Sequence, residues 1–285
     1  MAQRIVVVDS QKLSTIQACM KQFQYSHIEQ YEPHIKPDYF ERGDLTHEGL
    51  KIYYRLKKYR LRWAMNNHSH ERIIDICVHV MRFKAIKTNL DYEDVEINCN
   101  TFRQYCQHFE NDGWDNILAV EEVGSFVLWE NEDLLILYEM KIDLIISLPQ
   151  MAILPIDHKS GKMRVNPNLV SNQFKGYCVG LKVNNLYQNQ IGFQKTLKPV
   201  EKFQRHLLSF DDNILNEWKD ESAWWIRHGL DLIDRGIFPH NWTSCDKYAG
   251  CIYKNVCTKE PVVREQYLLR DFNKREVSWD PGSSL

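Results

Sequence analysis

The stretch Leu134–Lys162, reading LLILYEMKIDLIISLPQMAILPIDHKSGK, constrains the fold of this chain more than any other. Ile136, Tyr138, Met140, Ile142, Leu144 and Ile146 alternate with Glu139, Lys141 and Asp143. A period of two puts the apolar side chains on one face of a β-strand and the charges on the other. Pro149-Gln150 marks a turn, and a second arm from Ala152 to Lys159 returns along the first. Asp157 and Lys159 fall on one face of that arm. A turn centred near Gln150 sets Asp143 opposite Asp157, both pointing off the same face.

Directly opposed side chains in a hairpin sit roughly 5 Å apart at Cβ. Two carboxylates at that distance repel by about 3 kcal/mol at an effective dielectric near 20. A fold keeps such a pair only with compensation, either a shared proton or a hard divalent cation that takes oxygen ligands. Lys159 beside them offsets charge and can orient a water or a phosphate oxygen.

Asp143 followed by Asp157-His158-Lys159-Ser160-Gly161 resembles the core of the PD-(D/E)XK nucleases. The likeness is to the RecB-like branch, which includes AddB-type nucleases, CRISPR-adaptation nucleases and many phage exonucleases. Other segments resemble that branch in the same order. Gly43-Asp44-Leu45-Thr46-His47, at the start of a helix, is similar to its G-x-x-x-H motif, whose histidine faces the metal. Gln173 and Tyr177 are four apart on a helix expected from Pro167-Asn168 to about Val183, and match its Q-x-x-x-Y motif. Glu121, on a strand from Ile117 to Trp129, lies where many relatives place a glutamate near the metal.

The resemblance implies an α/β fold: a mixed β-sheet flanked by helices, an inserted helical lobe and a C-terminal iron–sulfur cluster region. It implies metal-dependent cleavage of DNA, by exonuclease action on single strands or ends. Asp143, Asp157, the backbone carbonyl of His158 and His47 would then hold Mg²⁺ or Mn²⁺, with Glu121 as a further contributor. Imidazole suits Mn²⁺ better than Mg²⁺. Lys159 would orient the attacking water, and Gln173 and Tyr177 would position the scissile strand.

The chain has 285 residues, 44% of them hydrophobic, which is enough for a sizeable core. Its formal charge of −2 gives no global attraction to nucleic acid, so any DNA contact needs local patches. One candidate patch is KIYYRLKKYRLRW, Lys51–Trp63, where Lys51, Arg55, Lys58 and Arg62 could hold phosphates and the interleaved aromatics could stack bases. A solvated helix face with an aromatic underside explains the same pattern.

No apolar run reaches the ~18 residues of a membrane span, and a cytoplasmic protein is the expectation. Eight cysteines are many for a reducing compartment, so metal or cluster ligation becomes the question for some of them. Cys77, Cys99 and Cys106 read as packing residues on helices over 69–88 and 91–111. Cys245, Cys251 and Cys257 fall within thirteen residues, too close together to explain as core packing. Cys19 is expected on a helix running to about Tyr25. One cysteine before the core and three after it is the layout of cluster-bearing RecB-like nucleases, and implies a [4Fe–4S] cluster. The first gap departs from that family's C-x₂-C-x₅-C, and tetrahedral Zn²⁺ or free thiols are the chemical alternatives.

The expected organisation is an N-terminal strand and helix over 1–42, a helical lobe over 43–115 and a nuclease core over 116–210. A helix and cluster region over 211–261 and a tail over 262–285 follow. Two other functions fit the pattern: a DNA-trimming subunit active only within a CRISPR-adaptation complex, or a non-catalytic DNA-binding and partner-docking module. A helicase or recombinase is a further candidate partner.

Overall fold

The computed structural model describes residues 3–35, 37–63, 69–114, 116–163, 166–194, 196–247 and 250–275, with side chains in the third helix described as far as Tyr59. The chain opens with strand β1 (Arg4–Val8), helices α1 (Ser10–Ala18) and α2 (Met20–Phe23), a π-helical turn (Gln24–Ile28) and strand β2 (Tyr31–Pro33). Helices α3 (Asp38–Trp63), α4 (His70–Ala85) and α5 (Tyr92–His108) follow, then strands β3 (Ile117–Glu130), β4 (Leu134–Leu148) and β5 (Met151–Gly161). Next come helix α6 (Asn172–Leu181), strand β6 (Asn185–Gly192), the short α7 (Pro199–Lys202), strand β7 (Phe203–Ser209) and helix α8 (Asp212–Asp234). The last elements are α9 (Lys254–Cys257), α10 (Arg264–Asp271) and β8 (Phe272–Lys274). Two compact units result, Lys36–Val123 with Lys141–Asp211, and Met1–Ile35 with Gly124–Met140 and Asp212–Leu285.

In the first of these units, β4 and β5 pair antiparallel with Leu144 opposite Ile156 and Ile146 opposite Leu154. Continuing that register sets Asp143 opposite Asp157, as the turn position predicts. β5 runs parallel to β6, with Asp157 beside Gln188 and Lys159 beside Gln190, and β6 pairs antiparallel with β7. The result is a mixed sheet flanked by helices. The helices expected as a lobe of their own share one core with the strands: Leu45, Tyr54, Ile74 and Phe102 are buried in the same cluster as Leu144, Ile156 and Phe203. Their apolar faces have no separate interior to fill, and each such side chain stabilises by roughly 1.5–3 kcal/mol when buried.

Two element starts differ from the sequence reading. α3 begins at Asp38, before Gly43, with Asp38 and Glu41 in its first turn, where carboxylates complement the helix dipole. His47 therefore sits inside the helix, not at its entry. α6 begins at Asn172 because Ser171 caps it, accepting a hydrogen bond from the Phe174 N–H. The Asn168 N–H, no helical donor, is taken up by Gln188 Oε1 at 3.0 Å.

In the other unit β1 runs parallel to Leu134–Tyr138 of β4, with Val6 and Val8 buried. The helix expected to reach Tyr25 breaks at Cys19, whose φ of −170° and ψ of 117° are extended. Part of the expected tail is folded: β8 pairs antiparallel with β2, and Leu268 and Phe272 pack with Tyr31 and Tyr253. Residues 276–285 lie outside the described residues.

Gly49 allows α3 to approach its neighbours, because a Cβ there would lie 2.5 Å from Met81 Sδ and 3.1 Å from the Phe102 ring. Gly49→Val should therefore destabilise the protein by about 1–3 kcal/mol in urea unfolding. Wild-type stability in that variant would mean that the three helices do not meet there.

Candidate metal site

Three elements bring one ligand each to a common point. α3 carries His47, β3 carries Glu121 and β4 carries Asp143, and one ligand atom from each lies within 4.8 Å of the others. His47 Nδ1 is 3.6 Å from Asp143 Oδ2. That oxygen also accepts the His158 N–H at 2.8 Å, so the edge of β5 fixes the carboxylate. Glu121 adopts φ +58°, a left-handed conformation that costs a non-glycine residue ~1 kcal/mol or more. The Glu121 carboxylate pairs with Lys141. An imidazole with two carboxylates is a donor set that suits a divalent cation, and the imidazole favours Mn²⁺ over Mg²⁺.

Burial first and the Asp157 carboxylate second push the Asp143 carboxyl up to about 6, against the opposing pull of His47, the His158 N–H and Lys159. Asp157 is fully buried. Its counter-ion is Lys159, whose Nζ lies 2.8 Å from Asp157 Oδ2. Lys159 also donates to Gln173 Oε1 at 2.7 Å, and Gln173 Nε2 donates to the Tyr177 hydroxyl at 2.6 Å. Tyr177 in turn donates to the Lys141 carbonyl. Gln173 and Tyr177 share a face of α6 at i, i+4 spacing, as the sequence predicts. Tyr177 is 1% exposed, so it braces Gln173 and the backbone of β4 and does not reach a strand in solvent.

The His158 side chain has a role that its neighbours in sequence do not reveal. It is buried, stacks on Tyr54 at 5.5 Å and 7°, and places Nδ1 2.7 Å from Asn189 Nδ2. Burial, then the nearby charges of His47 and Arg205, hold it well below the usual histidine range, so it is a neutral packing group. Asn189 Nδ2 also reaches the Tyr105 hydroxyl, which bonds Tyr54 and Arg205. Arg205 is closed in by Asp112 and by the Phe109 and Trp114 rings, 3.5 and 3.3 Å from its guanidinium carbon. The parallel register of β5 and β6 sets His158 beside Asn189, and the antiparallel register of β6 and β7 sets Asn189 beside Arg205, so no local pattern announces the network.

The basic aromatic segment is largely committed to the fold. Tyr53 and Tyr54 are buried and cannot stack bases. Lys51 pairs with Glu48, Lys57 with Asp112, and Lys58 bonds the Leu118 carbonyl. Arg55 is exposed, and the Arg62 side chain lies outside the described residues.

Cys19, Cys245, Cys251 and Cys257 all belong to the second unit. Burial first, then the neighbouring Cys251, Cys19 and Cys245, raise the Cys257 thiol to about 11. The Cys251 N–H donates to the Cys245 carbonyl at 2.8 Å, and the Asn241 N–H donates to Cys19 Sγ at 3.4 Å. Among the described residues, no three of these sulfurs come within 4.8 Å of one another. Cys77, Cys99 and Cys106 are fully buried, as packing residues should be, and so is Cys178. No helix among the described residues is long and apolar enough to cross a membrane.

No family model and no curated protein matches the chain. Among solved structures, one provisionally labelled an exonuclease, from Eubacterium rectale, aligns over 84% of this chain and 85% of its own, at 9% identity and a TM-score of 0.46. The alkaline exonuclease of Laribacter hongkongensis aligns over 65% of this chain and 94% of its own, at 10% identity and a TM-score of 0.32. Likeness at this level carries no argument, and the functional reading rests on the residues.

Asp143 binds its proton more tightly in the folded chain than in the unfolded chain, where a carboxyl titrates near 3.9. The folded state therefore loses stability as pH rises from about 4 to about 6, by on the order of 3 kcal/mol from this group. Asp143→Asn keeps an acceptor for the His158 N–H and removes the charge. It should raise the melting temperature of protein freed of divalent cations at pH 7.5, with a smaller gain at pH 5. A lower melting temperature at pH 7.5 would mean that Asp143 is not under electrostatic strain.

Proposed function

We propose that this chain is a metal-dependent nuclease that hydrolyses DNA phosphodiesters, acting as an exonuclease on single strands or ends. The observation that carries the reading is the meeting of His47, Glu121 and Asp143 beside the Asp157–Lys159 pair. Two carboxylates under strain, an imidazole and a cation held ready next to them form a site for anionic substrate and divalent metal together. A divalent cation held by His47, Glu121 and Asp143, with Asp157 and the His158 carbonyl close by, would lower the pKa of a water and offset charge developing on the phosphate.

Within the chain, Asp157 and Gln173 fix the Lys159 ammonium from two sides, which limits its rotation before substrate arrives. Lys159 then donates to the attacking water or to a phosphate oxygen, where preorganised donors act most strongly. Tyr177 holds Gln173 and the β4 backbone in place. The intact set of Asp143, Asp157 and Lys159 favours catalysis over a purely DNA-binding or docking role. DNA trimming inside a CRISPR-adaptation complex, or alongside a helicase or recombinase, would use the same site.

The reading includes one [4Fe–4S] cluster held by Cys19, Cys245, Cys251 and Cys257. Support comes from four cysteine sulfurs in one unit, three of them near enough to Cys257 to raise its thiol. A shared cluster would close a loop of more than two hundred residues and stabilise the fold by ~4–5 kcal/mol, as for a long disulfide loop. None of the four lies in the hairpin, so the role is structural.

Purified protein should degrade DNA with Mn²⁺ or Mg²⁺ and stop on chelation. Lys159→Ala should slow cleavage by about 10²–10⁴-fold while leaving DNA affinity nearly unchanged. Cleavage by that variant at the wild-type rate would remove Lys159 from the chemistry. For the cluster, protein purified without oxygen should be brown, with about four irons per chain, and Cys257→Ser should lose iron and melt earlier. Stoichiometric zinc under those conditions would replace the cluster with a zinc staple.

A further inference from the structure

Beside the Lys159–Gln173 pair lies a cavity of about 480 Å³ that the reading so far leaves unused. Gln188 and Gln190 line it, 2% and 3% exposed, two residues apart on one face of β6. Gly161 contributes bare backbone at φ +140°, and exposed Lys162 stands at the rim. A second cavity of about 490 Å³ shares Tyr39, Gly161 and Lys162 with the first. Tyr39 is 56% exposed, in contact with the equally open ring of Phe40 at a centroid distance of 4.4 Å. A large aromatic ring left in water at the shared wall of two cavities is unusual for a packing residue. It offers a π-face to a flat ligand, and the amides offer hydrogen bonds to a polar edge.

We infer that the cavity beside Lys159 takes one unpaired nucleotide of a single DNA strand, with its base stacked on Tyr39, its edge met by Gln188 and Gln190, and its phosphate near Lys162. The inference rests on the nuclease reading of the same site and adds a substrate class to it. A paired base presents neither its face nor its Watson–Crick edge, so this pocket selects single strands over duplex. Stacking tolerates any base, so the preference is for strandedness before sequence. The neighbouring cavity, across Tyr39, is the place for the next nucleotide along the strand.

Tyr39 is the residue to change, because its exposure separates loss of the ring from loss of the fold. Binding is measured by fluorescence anisotropy on full-length protein without divalent cations, using labelled oligothymidylate and an abasic oligomer of the same length. Tyr39→Ala should weaken oligothymidylate binding about tenfold and leave the weaker abasic binding unchanged. Tyr39→Phe should restore wild-type affinity, since it keeps the ring. Equal losses on both oligomers, or unchanged oligothymidylate binding by Tyr39→Ala, would overturn the base pocket. The nuclease reading is scored separately, by cleavage of the same oligothymidylate with Mn²⁺. A base-dependent loss in a wild-type protein that never cuts would keep the pocket and remove the nuclease.

Discussion

The site depends on one unfavourable contact. The β4–β5 hairpin holds Asp143 against Asp157 in largely buried surroundings, where burial and the Asp157 charge raise the Asp143 carboxyl. Every other feature of the site answers that charge. His47 approaches Asp143 from α3, the β5 backbone donates to it, and Lys159 neutralises Asp157. Lys159 is itself held by Gln173 from α6, and Glu121 is brought in at a conformational cost. Replacing Asp143 with a neutral residue would remove the repulsion, so stability alone gives no reason to keep both carboxylates.

The hairpin was legible in the sequence because strand period and turn position are local. Alternation in Ile136–Ile146 and the Pro149-Gln150 turn are sufficient to set Asp143 against Asp157, and the strands pair in that register. The i, i+4 spacing of Gln173 and Tyr177 was equally readable, since both lie on one helix. What spacing could not give was the direction of action. Tyr177 faces inward to the Lys141 carbonyl, because α6 lies over the sheet and buries that position.

Long-range features were the ones lost. The alternation of bases and aromatics in Lys51–Trp63 looks like a nucleic-acid surface, but Tyr53 and Tyr54 point into the core that α3 shares with α4, α5 and the strands. The same aromatics on a helix serve either purpose, and only the packing partner decides. Tyr39, which carries no motif, was left exposed at the cavity wall instead. The network from His158 through Asn189 and Tyr105 to Arg205 depends on which strand lies parallel to β5, and nothing within ten residues of any member specifies it. The break at Cys19 interrupts an otherwise continuous helical pattern and moves that thiol off the helix, beside the Asn241 N–H.

The central claim is that His47, Glu121 and Asp143 hold a divalent cation. Crystals grown or soaked with Mn²⁺ test it directly through anomalous scattering. The account predicts a peak within coordination distance of His47, Glu121 and Asp143, at oxygen and nitrogen distances of about 2.0–2.3 Å, and its loss in Asp143→Asn. A fully occupied Mn²⁺ elsewhere in the chain, with none at these three side chains, would contradict it.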